Sequence, residues 1–596
     1  MPSAIQLLFA RHRRLALGAF YGVLSLAFCA PLFAHPQALG TNDWDQHLFY
    51  YGVVLKNVVE YGQMPFWNPW YCGGNVMWQN PQIALLSPVY PLTAIMSLPL
   101  AMKVNIVLHY WLGFVGMHVL VTRVIGVTFL PAVIYLATLV TASGAPAIHL
   151  RVGHSVFLPG FYLPLQLYFF FQAYKTGQWK YVLLSGTTLA LIVFNGGTHI
   201  LPMSLASIGV FSLTAAIARR DWRPIAIAIA FGLAGLAYSA PKLLPVVQFV
   251  NGDYFWDTRN PTEKPDLVTL DILEQTYLTP TQDVGGRLPM QRHGWHEYGN
   301  YIGLGSAIAL VIGVIIVFVR RWPNHWFGIS LAVTTVAMFL LSLGEFSAFA
   351  PAVLIQRLPL FSSFRIPSRY SIVFLQFAAL TLAWSFRSAV AFHGGLSRNA
   401  RFVVGVLSAI ASLHLIVTNQ WNLADLFKEP PFPIAFHWNR GPHQLTTNSP
   451  DESPYVPGSP MLKTLAQGKS FYTCYESLQL ARSAGPDHPP VYDRGTANRV
   501  SDVDFTPNRI AFTVTKGTTD AQVVLNQNWS PGWTTDAGAI AVGPRTEPST
   551  VTIPAAQSGR FEFTFVPQGL YAGVGALIAA LALSAAMWRR RMPPIS

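Results

Sequence analysis

The sequence predicts a polytopic α-helical membrane protein with an additional small β unit. Of its 596 residues, 52% are hydrophobic and only 11% are charged, whereas a soluble domain carries about 25% charged residues. Uncharged apolar runs such as GLGSAIALVIGVIIVFV and ISLAVTTVAMFLLSL approach the roughly 20 residues with which a helix crosses a bilayer. These observations exclude a soluble enzyme, a secreted disulfide scaffold and a disordered chain.

About twelve segments are predicted to span the membrane, and each is apolar over the length of a helix. They are 15–34, 104–122, 126–147, 156–174, 180–195, 200–218, 224–245, 300–319, 325–343, 370–388, 402–418 and 569–588. No clean cleavage site follows the first segment, so we expect a retained helix and not a signal peptide. The apolar stretch 83–101 contains three prolines, and we expect it to lie in or dip into the membrane interface.

The basic charge indicates topology. The formal net charge is +13, and Arg11, Arg13 and Arg14 precede the first apolar run, which places the N-terminus inside by the positive-inside rule. When the sides alternate from there, the inner loops are short and basic, with Asp221 as their only acid. We therefore predict a multi-pass inner-membrane protein with both termini cytoplasmic, and no binding of nucleic acid.

Three regions follow from this pattern. Residues 1–418 form the membrane module, with a long first outer loop at 35–103, and residues 569–596 form a final helix with a basic tail. Residues 419–568 are predicted to be an extracytoplasmic domain with one helix near 460–481. Ile510, Phe512 and Val514 alternate, as do Phe561, Phe563 and Phe565, and this period of two predicts a small antiparallel β unit.

The three cysteines are too few for a disulfide framework. Cys29 lies in the first apolar segment, while Cys72 and Cys474 both fall on the outer side. The sequence therefore leaves two alternatives for the outer cysteines, a disulfide bond between them or two free thiols.

Two acids directly after the first membrane segment are candidates for catalysis. Asp43 and Asp45 are two residues apart and could share a divalent cation, Mg²⁺ or Mn²⁺, or divide the roles of general base and ligand. The alternative is that they cap a helix, a position that Asp favours. Trp67, Asn68 and Gln79 follow in an aromatic tract that could bind sugar or acceptor, or could pack the loop as interfacial aromatics do.

Several polar residues of the other outer loops are candidates for sugar or acceptor binding. His154 and His199 each follow glycines in short turns, although a lone histidine is often structural. Glu297 and Tyr298 lie in HGWHEYGN, whose spacing differs from the HExxH zinc motif. A carboxylate accepts hydrogen bonds from sugar hydroxyls, so Glu297 is expected to contact the sugar.

The order of these motifs resembles a known family. PFWNPWYCGG, NPQIALLSPVYPL, YIGL, FRIPSRY and NWSPGW together resemble the bacterial YfhO-like membrane proteins of the GT-C superfamily of glycosyltransferases. The resemblance implies a polyprenyl-phosphate-linked sugar donor in the membrane lipid and a cell-envelope glycan, lipid or protein as acceptor. It also implies transfer on the periplasmic face, with a first-loop acid, best matched by Asp43, at the catalytic centre.

Such a donor requires cationic groups for its phosphate. Arg365 and Arg369 are four residues apart at the predicted outer membrane edge, and we expect one helical turn between them and a shared phosphate. Contact with lipid headgroups is the alternative. Lys242, which follows Pro241, is a weaker phosphate candidate.

Two other functions remain open. A transporter or flippase of lipid-linked sugars normally carries ionisable residues inside its helices and inverted repeats, and neither is visible here. A non-catalytic envelope-assembly factor is the other alternative. A glycosyltransferase predicts one outward cavity, open to lipid, around which five residues gather: Asp43, Asp45, His154, Glu297 and Arg365.

Overall fold

The structure is a computed structural model that describes residues 13–251, 256–257, 265–280, 292–358, 361–362, 364–424, 426–432, 444–445, 460–470, 478–479, 485, 488–495, 498–543 and 547–592. The prediction about Cys474 lies outside these residues. Cys72 is disulfide-bonded, and Cys29 is a buried free thiol.

The described chain is mostly helical. Its α-helices are α1 (Arg13–Phe28), α2 (Asp43–Val59), α3 (Leu98–Leu120), α4 (Leu130–Thr141), α5 (Gly144–Arg151), α6 (Leu163–Thr176), α7 (Trp179–Phe194), α8 (Ile200–Arg219), α9 (Arg223–Val250), α10 (Leu270–Leu278), α11 (Leu304–Val319), α12 (His325–Ser342), α13 (Pro351–Ile355), α14 (Ser371–Phe392), α15 (Arg398–Ala424), α16 (Pro460–Ala466) and α17 (Leu570–Met587). A π-helical turn at Val121–Ile125 extends α3.

Within the described residues, nine helices are long and apolar enough to cross a membrane. Three further apolar helices are shorter, at Arg14–Phe28, Trp179–Phe194 and Leu304–Val319. Each of the twelve predicted segments overlaps one of these helices. Multiple membrane-crossing helices are thus present, while the count of twelve spans remains a prediction.

The short strands form several small sheets. They are β1 (Leu39–Gly40), β2 (Trp67–Asn68), β3 (Asn75–Val76), β4 (Trp256–Asp257), β5 (Phe427–Glu429), β6 (Gln444–Leu445), β7 (Lys469–Ser470), β8 (Leu478–Gln479), β9 (Val491–Asp493), β10 (Val500–Thr506), β11 (Arg509–Val514), β12 (Ala521–Leu525), β13 (Trp533–Thr535), β14 (Ser549–Ile553) and β15 (Gly559–Phe565). We call β9–β15 the β unit.

The β unit consists of two sheets around one apolar core. One sheet has the order β10-β11-β15-β13 and the other has the order β14-β12-β9, and all of their pairings are antiparallel. Phe512 and Phe563 are fully buried and face Val523 of the other sheet in a shared cluster. Alternate residues of β11 and β15 are buried because successive side chains of a strand point to opposite faces.

Contacts between loops that are distant in sequence gather these loops at two ends of the bundle. We call the end that carries the β unit the β-unit end, and the opposite end the basic end. The turns at 152–162, 195–199, 295–303 and 361–370 lie at the β-unit end, whereas the loops at 121–129, 177–178, 220–222, 320–324 and 393–397 lie at the basic end. Residues distant in sequence thereby meet at one end.

The first outer loop contains the buried helix α2, which begins at Asp43. Thirteen of its 17 residues are buried. The antiparallel hairpin β2–β3 follows, with Trp67 opposite Val76. Stretch 83–101 continues through a 3-10 turn at Tyr90–Ala94, and α3 already begins at Leu98, six residues before the predicted start.

The β unit packs against this loop and forms hydrogen bonds with it. The Trp67 indole donates to Gln527 Oε1 at 2.9 Å, and its ring lies 4.7 Å from that of Phe565. The Asn528 side chain donates to the carbonyl oxygen of Gly74 at 2.8 Å. The aromatic tract of the first loop therefore packs between the helices and the β unit.

Candidate functional site

Asp43 is the first residue of α2 and meets the turn that follows α5. Its backbone amide donates to the Val152 carbonyl at 3.1 Å, and its carboxylate oxygen Oδ2 lies 3.4 Å from His154 Nε2. The close approach depends on Gly153, at φ +96°, where a Cβ would lie 2.4 Å from the backbone nitrogen of Trp44. Both the Asp43 and the His154 side chains are largely buried but keep some exposure, 17% and 16% respectively.

A second histidine lies beneath this pair. His149 Nδ1 and His154 Nδ1 are 3.1 Å apart, so one ring donates to the other. The His149 ring stacks on Phe157, with ring centroids 4.0 Å apart, and Phe157 also stacks on His199 at 5.4 Å. Phe157 therefore connects the two histidine turns.

Arg369 and Glu297 form a bidentate ion pair at the centre of the cluster. Arg369 Nε donates to Glu297 Oε2 at 2.7 Å, and Nη2 donates to Oε1 at 2.5 Å. Burial raises the pKa of the Glu297 carboxyl, but the adjacent Arg369 charge outweighs burial and holds this pKa well below its usual range. Glu297 is consequently a carboxylate in the folded chain.

Arg369 also contacts the turn that carries His199. Its Nη1 lies 2.8 Å from His199 Nε2, and its guanidinium carbon lies 5.3 Å from the centre of the Phe157 ring. The turn is held against the first loop at Gly196, at φ +72°, where a Cβ would lie 2.2 Å from the carbonyl oxygen of Gln82. The cluster of Asp43, His149, His154, His199, Glu297 and Arg369 is called the outer cluster below.

A buried acid that the sequence analysis did not name connects the loops around Glu297. Asp266 is 2% exposed; it accepts a hydrogen bond from the Tyr298 hydroxyl and lies 3.2 Å from Arg292 Nε. Its backbone amide donates to the Arg365 carbonyl at 3.1 Å. Burial and this carboxylate raise the pKa of Tyr298, whose hydroxyl thus serves the loop packing.

Asp45 faces away from the outer cluster. Its Oδ2 accepts from the amide of Met461 at 2.8 Å, and its Oδ1 accepts from the amide of Leu462 at 3.0 Å. The carboxylate therefore caps the N-terminus of α16. Residues i and i+2 of a helix are about 200° apart around its axis, so the structure does not bring Asp43 and Asp45 together at one ligand site.

Lys242 and the tract around Gln79 are also engaged in packing. Lys242 Nζ is buried and donates to the carbonyls of Trp78, at 2.6 Å, and Asn80, at 2.7 Å. Asn68 Oδ1 accepts from the amide of Trp70 at 3.1 Å. The Gln79 side chain is fully buried, and neither of its polar atoms has a hydrogen-bond partner among the described residues.

The prediction that Arg365 and Arg369 lie one helical turn apart is wrong. Residues 364–366 are irregular, Arg369 belongs to a 3-10 turn at Pro367–Tyr370, and α14 begins only at Ser371. Pro367 cannot donate the amide that a helix passing through it would need. Arg369 enters the outer cluster, whereas Arg365 lies in the segment before it.

Three side chains of the outer cluster offer metal-ligating atoms. Those of His149, His154 and Glu297 lie within 4.8 Å of one another. Two imidazoles and a carboxylate suit Mn²⁺ or Zn²⁺ better than Mg²⁺, which prefers oxygen. Both Glu297 oxygens already accept from Arg369, and the guanidinium charge opposes a cation there. The donor set does not fit Mg²⁺.

Of these residues, sequence reasoning named Asp43, His154, His199, Glu297 and Arg369 and missed His149 and Asp266. His149 lies five residues before His154, in the last turn of α5, and this spacing was the one available signal. Asp266 has no motif around it.

No family model matches the sequence, and no curated protein matches it. Among solved structures, the arabinofuranosyltransferase AftD from Mycobacteria matches at 13% identity, over 93% of this chain and 40% of that one, with a TM-score of 0.45. The Archaeoglobus fulgidus oligosaccharyltransferase matches at 13% identity, over 76% and 64% of the two chains, with a TM-score of 0.43. The arabinosyltransferase EmbB from Mycobacterium smegmatis matches at 9% identity, over 91% and 62%, with a TM-score of 0.30.

This chain therefore spans less than two thirds of the length of each of these proteins. At such scores the likeness carries no functional conclusion, so function is argued from the residues themselves.

Proposed function

We propose that the chain is an integral membrane glycosyltransferase that moves a sugar from a polyprenyl-phosphate donor to a cell-envelope acceptor. One observation carries the proposal: a carboxylate, Asp43, and an oriented guanidinium, Arg369, converge in one histidine-lined cluster at the β-unit end. The resemblance to YfhO-like proteins supports a lipid-linked donor and a periplasmic site.

Asp43 is the proposed general base. The acceptor hydroxyl oxygen forms a bond to the anomeric carbon while its proton passes to the Asp43 carboxylate, and the bond from that carbon to the phosphate oxygen breaks. The carboxylate suits this role because it keeps 17% exposure and has His154 3.4 Å away, which orients it. Asp45 suits the role less well because both of its oxygens accept from backbone amides.

Arg369 is the proposed phosphate ligand. A guanidinium has five N–H groups, of which Glu297 receives two and His199 faces a third. Two N–H groups remain for the departing phosphate, whose growing negative charge they stabilise without reorganisation. Glu297 and His199 thus position the arginine and do not themselves contact the reacting atoms.

An apolar cavity beside the cluster suits the lipid chain of the donor. A space of about 270 Å³ lies between α11, α12 and α14. Ile302 and Phe374 line it and are each five residues from Glu297 and Arg369, respectively. A polyprenyl chain in this cavity would leave its phosphate at the outer cluster, since apolar surface is favourably buried against apolar surface.

The test is release of polyprenyl phosphate from defined undecaprenyl-phosphate sugars, by the purified full chain with membranes as acceptor. We expect Asp43→Asn to lower the rate about 10²- to 10⁴-fold, because the amide keeps the shape and removes the basicity. Asp271→Asn, an exposed acid on α10, is the matched control and should keep the wild-type rate.

A wild-type rate in Asp43→Asn would overturn the assignment of the base. Movement of intact donor across the membrane, without release of polyprenyl phosphate, would instead support a flippase.

A further inference from the structure

The largest of the described cavities with a polar rim lies at the basic end, away from the outer cluster. It has a volume of about 460 Å³ and is formed where α6, α8, α9, α12 and α14 begin or end. Phe171 and Trp384 are buried in its wall. We call it the basic cavity.

Four cationic side chains line the basic cavity, and none of its described lining residues is acidic. They are Lys175, Arg219, Arg223 and Arg387, and all four are exposed to solvent. The one nearby acid, Asp221, accepts from the Tyr174 hydroxyl at 3.1 Å and from the Arg223 amide at 3.0 Å. Even with Asp221 included, the cations outnumber the acid four to one.

The cationic rim is held in place by aromatic rings. The Arg219 guanidinium lies 4.9 Å from the centre of the Trp326 ring and 5.9 Å from that of Tyr174, which is the distance range of cation–π attraction. Arg320 and Arg321 are exposed at the same end but do not line the basic cavity. The positive-inside rule explains why basic residues lie at this end, but it does not explain why four of them surround one cavity.

Two long helices also start at the cavity. α9 begins at Arg223, and α12 begins directly after Asn324, and both of these residues line the cavity. The first turn of a helix has amides without intrahelical partners and a partial positive charge. At α9 the Arg223 amide already donates to Asp221, and Pro224 has no amide hydrogen, so the helix N-terminus that the cavity offers is the start of α12. Guanidinium groups and a helix N-terminus are two kinds of group that bind phosphate oxygens.

We propose that the basic cavity binds the phosphate headgroup of an anionic membrane phospholipid. The rim supplies phosphate ligands, while Val124, Ile125 and Phe327 of the wall supply apolar surface for the start of acyl chains. The cavity lies at the ends of membrane-crossing helices, where a lipid headgroup is present at high local concentration. Basic pockets between helices on the cytoplasmic side are typical sites for such headgroups.

The test measures lipid binding by native mass spectrometry of the delipidated full chain in detergent, titrated with cardiolipin, phosphatidylglycerol or phosphatidylcholine. We expect the two anionic lipids to bind at least about tenfold more tightly than phosphatidylcholine. Each basic residue near an anionic lipid contributes a factor of about five. The double variant Arg219→Gln/Arg387→Gln should therefore weaken anionic lipid binding about 30-fold.

The matched control is Arg320→Gln/Arg321→Gln, which removes the same charge from the same end and should keep the selectivity. The variant Arg219→Lys/Arg387→Lys keeps the charge and should retain most of the binding. It replaces the glutamine variant in the comparison if that variant fails to fold. Equal loss in the control and the cavity variant would overturn the site. Saturable binding of inorganic phosphate or ADP, without selectivity among lipids, would also overturn the lipid assignment.

Discussion

Replacing Asp45 by alanine separates the structural from the catalytic use of the two first-loop acids. The Asp45 carboxylate is 1% exposed, and its two oxygens accept from the amides of Met461 and Leu462 at 2.8 and 3.0 Å. Alanine removes both acceptors and leaves two amides of the first turn of α16 without partners in a buried place. We therefore expect α16 to open more readily in Asp45→Ala while the outer cluster stays assembled.

The size of the effect follows from the number of hydrogen bonds lost. A buried donor without its partner costs about 1–3 kcal/mol, and water that enters when α16 opens recovers part of this cost. For two amides we expect the free energy of local opening to fall by about 2–4 kcal/mol. At 1.4 kcal/mol per tenfold change, amide exchange in peptides covering 460–470 should accelerate about 30- to 700-fold.

Hydrogen exchange with mass spectrometry measures this opening directly. The experiment is done at pH 8, because burial raises the pKa of Asp45 to about 7 and the carboxyl is mostly ionised at pH 8. Asp43→Ala is the matched control, since Asp43 lies on the same turn and its carboxylate lies beside His154, and the 460–470 peptides of this variant should exchange at the wild-type rate. Unchanged exchange in Asp45→Ala, together with loss of sugar transfer, would refute the capping role and return Asp45 to the catalytic site.

Three further outcomes are expected from the outer cluster. Arg369→Lys should lower donor turnover about tenfold or more at unchanged membrane abundance, because Lys cannot keep the bidentate contact with Glu297. An unchanged transfer rate in Arg369→Lys would instead assign Arg369 to setting the membrane topology. Since the pKa of Glu297 lies below its usual range, the ion pair stabilises the fold fully above about pH 4.3 and loses this contribution as the pH falls through the lower folded pKa. In Arg369→Met the burial of Glu297 raises its pKa without the opposing charge, so protonation relieves the variant at a higher pH. The difference in thermal midpoint between wild type and Arg369→Met should therefore shrink as the pH falls, and a difference that grows in acid would contradict this. EDTA should leave transfer unchanged, whereas loss of transfer that Mn²⁺ alone restores would instead support a cation held by His149, His154 and Glu297.

Much of the outer cluster could be named from the sequence, but the partners of its members could not. His154 and His199 stood out because glycines precede them in turns between apolar segments, and the alternation of sides predicted that both turns lie at one end. The pairing of Arg369 with Glu297 has no local signal, because the two residues are 72 positions apart and their contact depends on how α14 packs. For the same reason Lys242, expected at a phosphate, instead donates to carbonyls of the first loop.

The membrane class, the positions of the apolar helices and the alternating strands of the β unit could be predicted from sequence. These are local properties: an apolar run must form a helix in lipid to pair its own backbone groups, and a period of two indicates a half-buried strand. Which of Asp43 and Asp45 faces the outer cluster depends on the packing of distant segments. On α2 the two side chains point in nearly opposite directions, so their roles depend on what stands opposite, His154 for one and the start of α16 for the other. Those neighbours come from residues more than 100 and 400 positions away, and no local pattern encodes them.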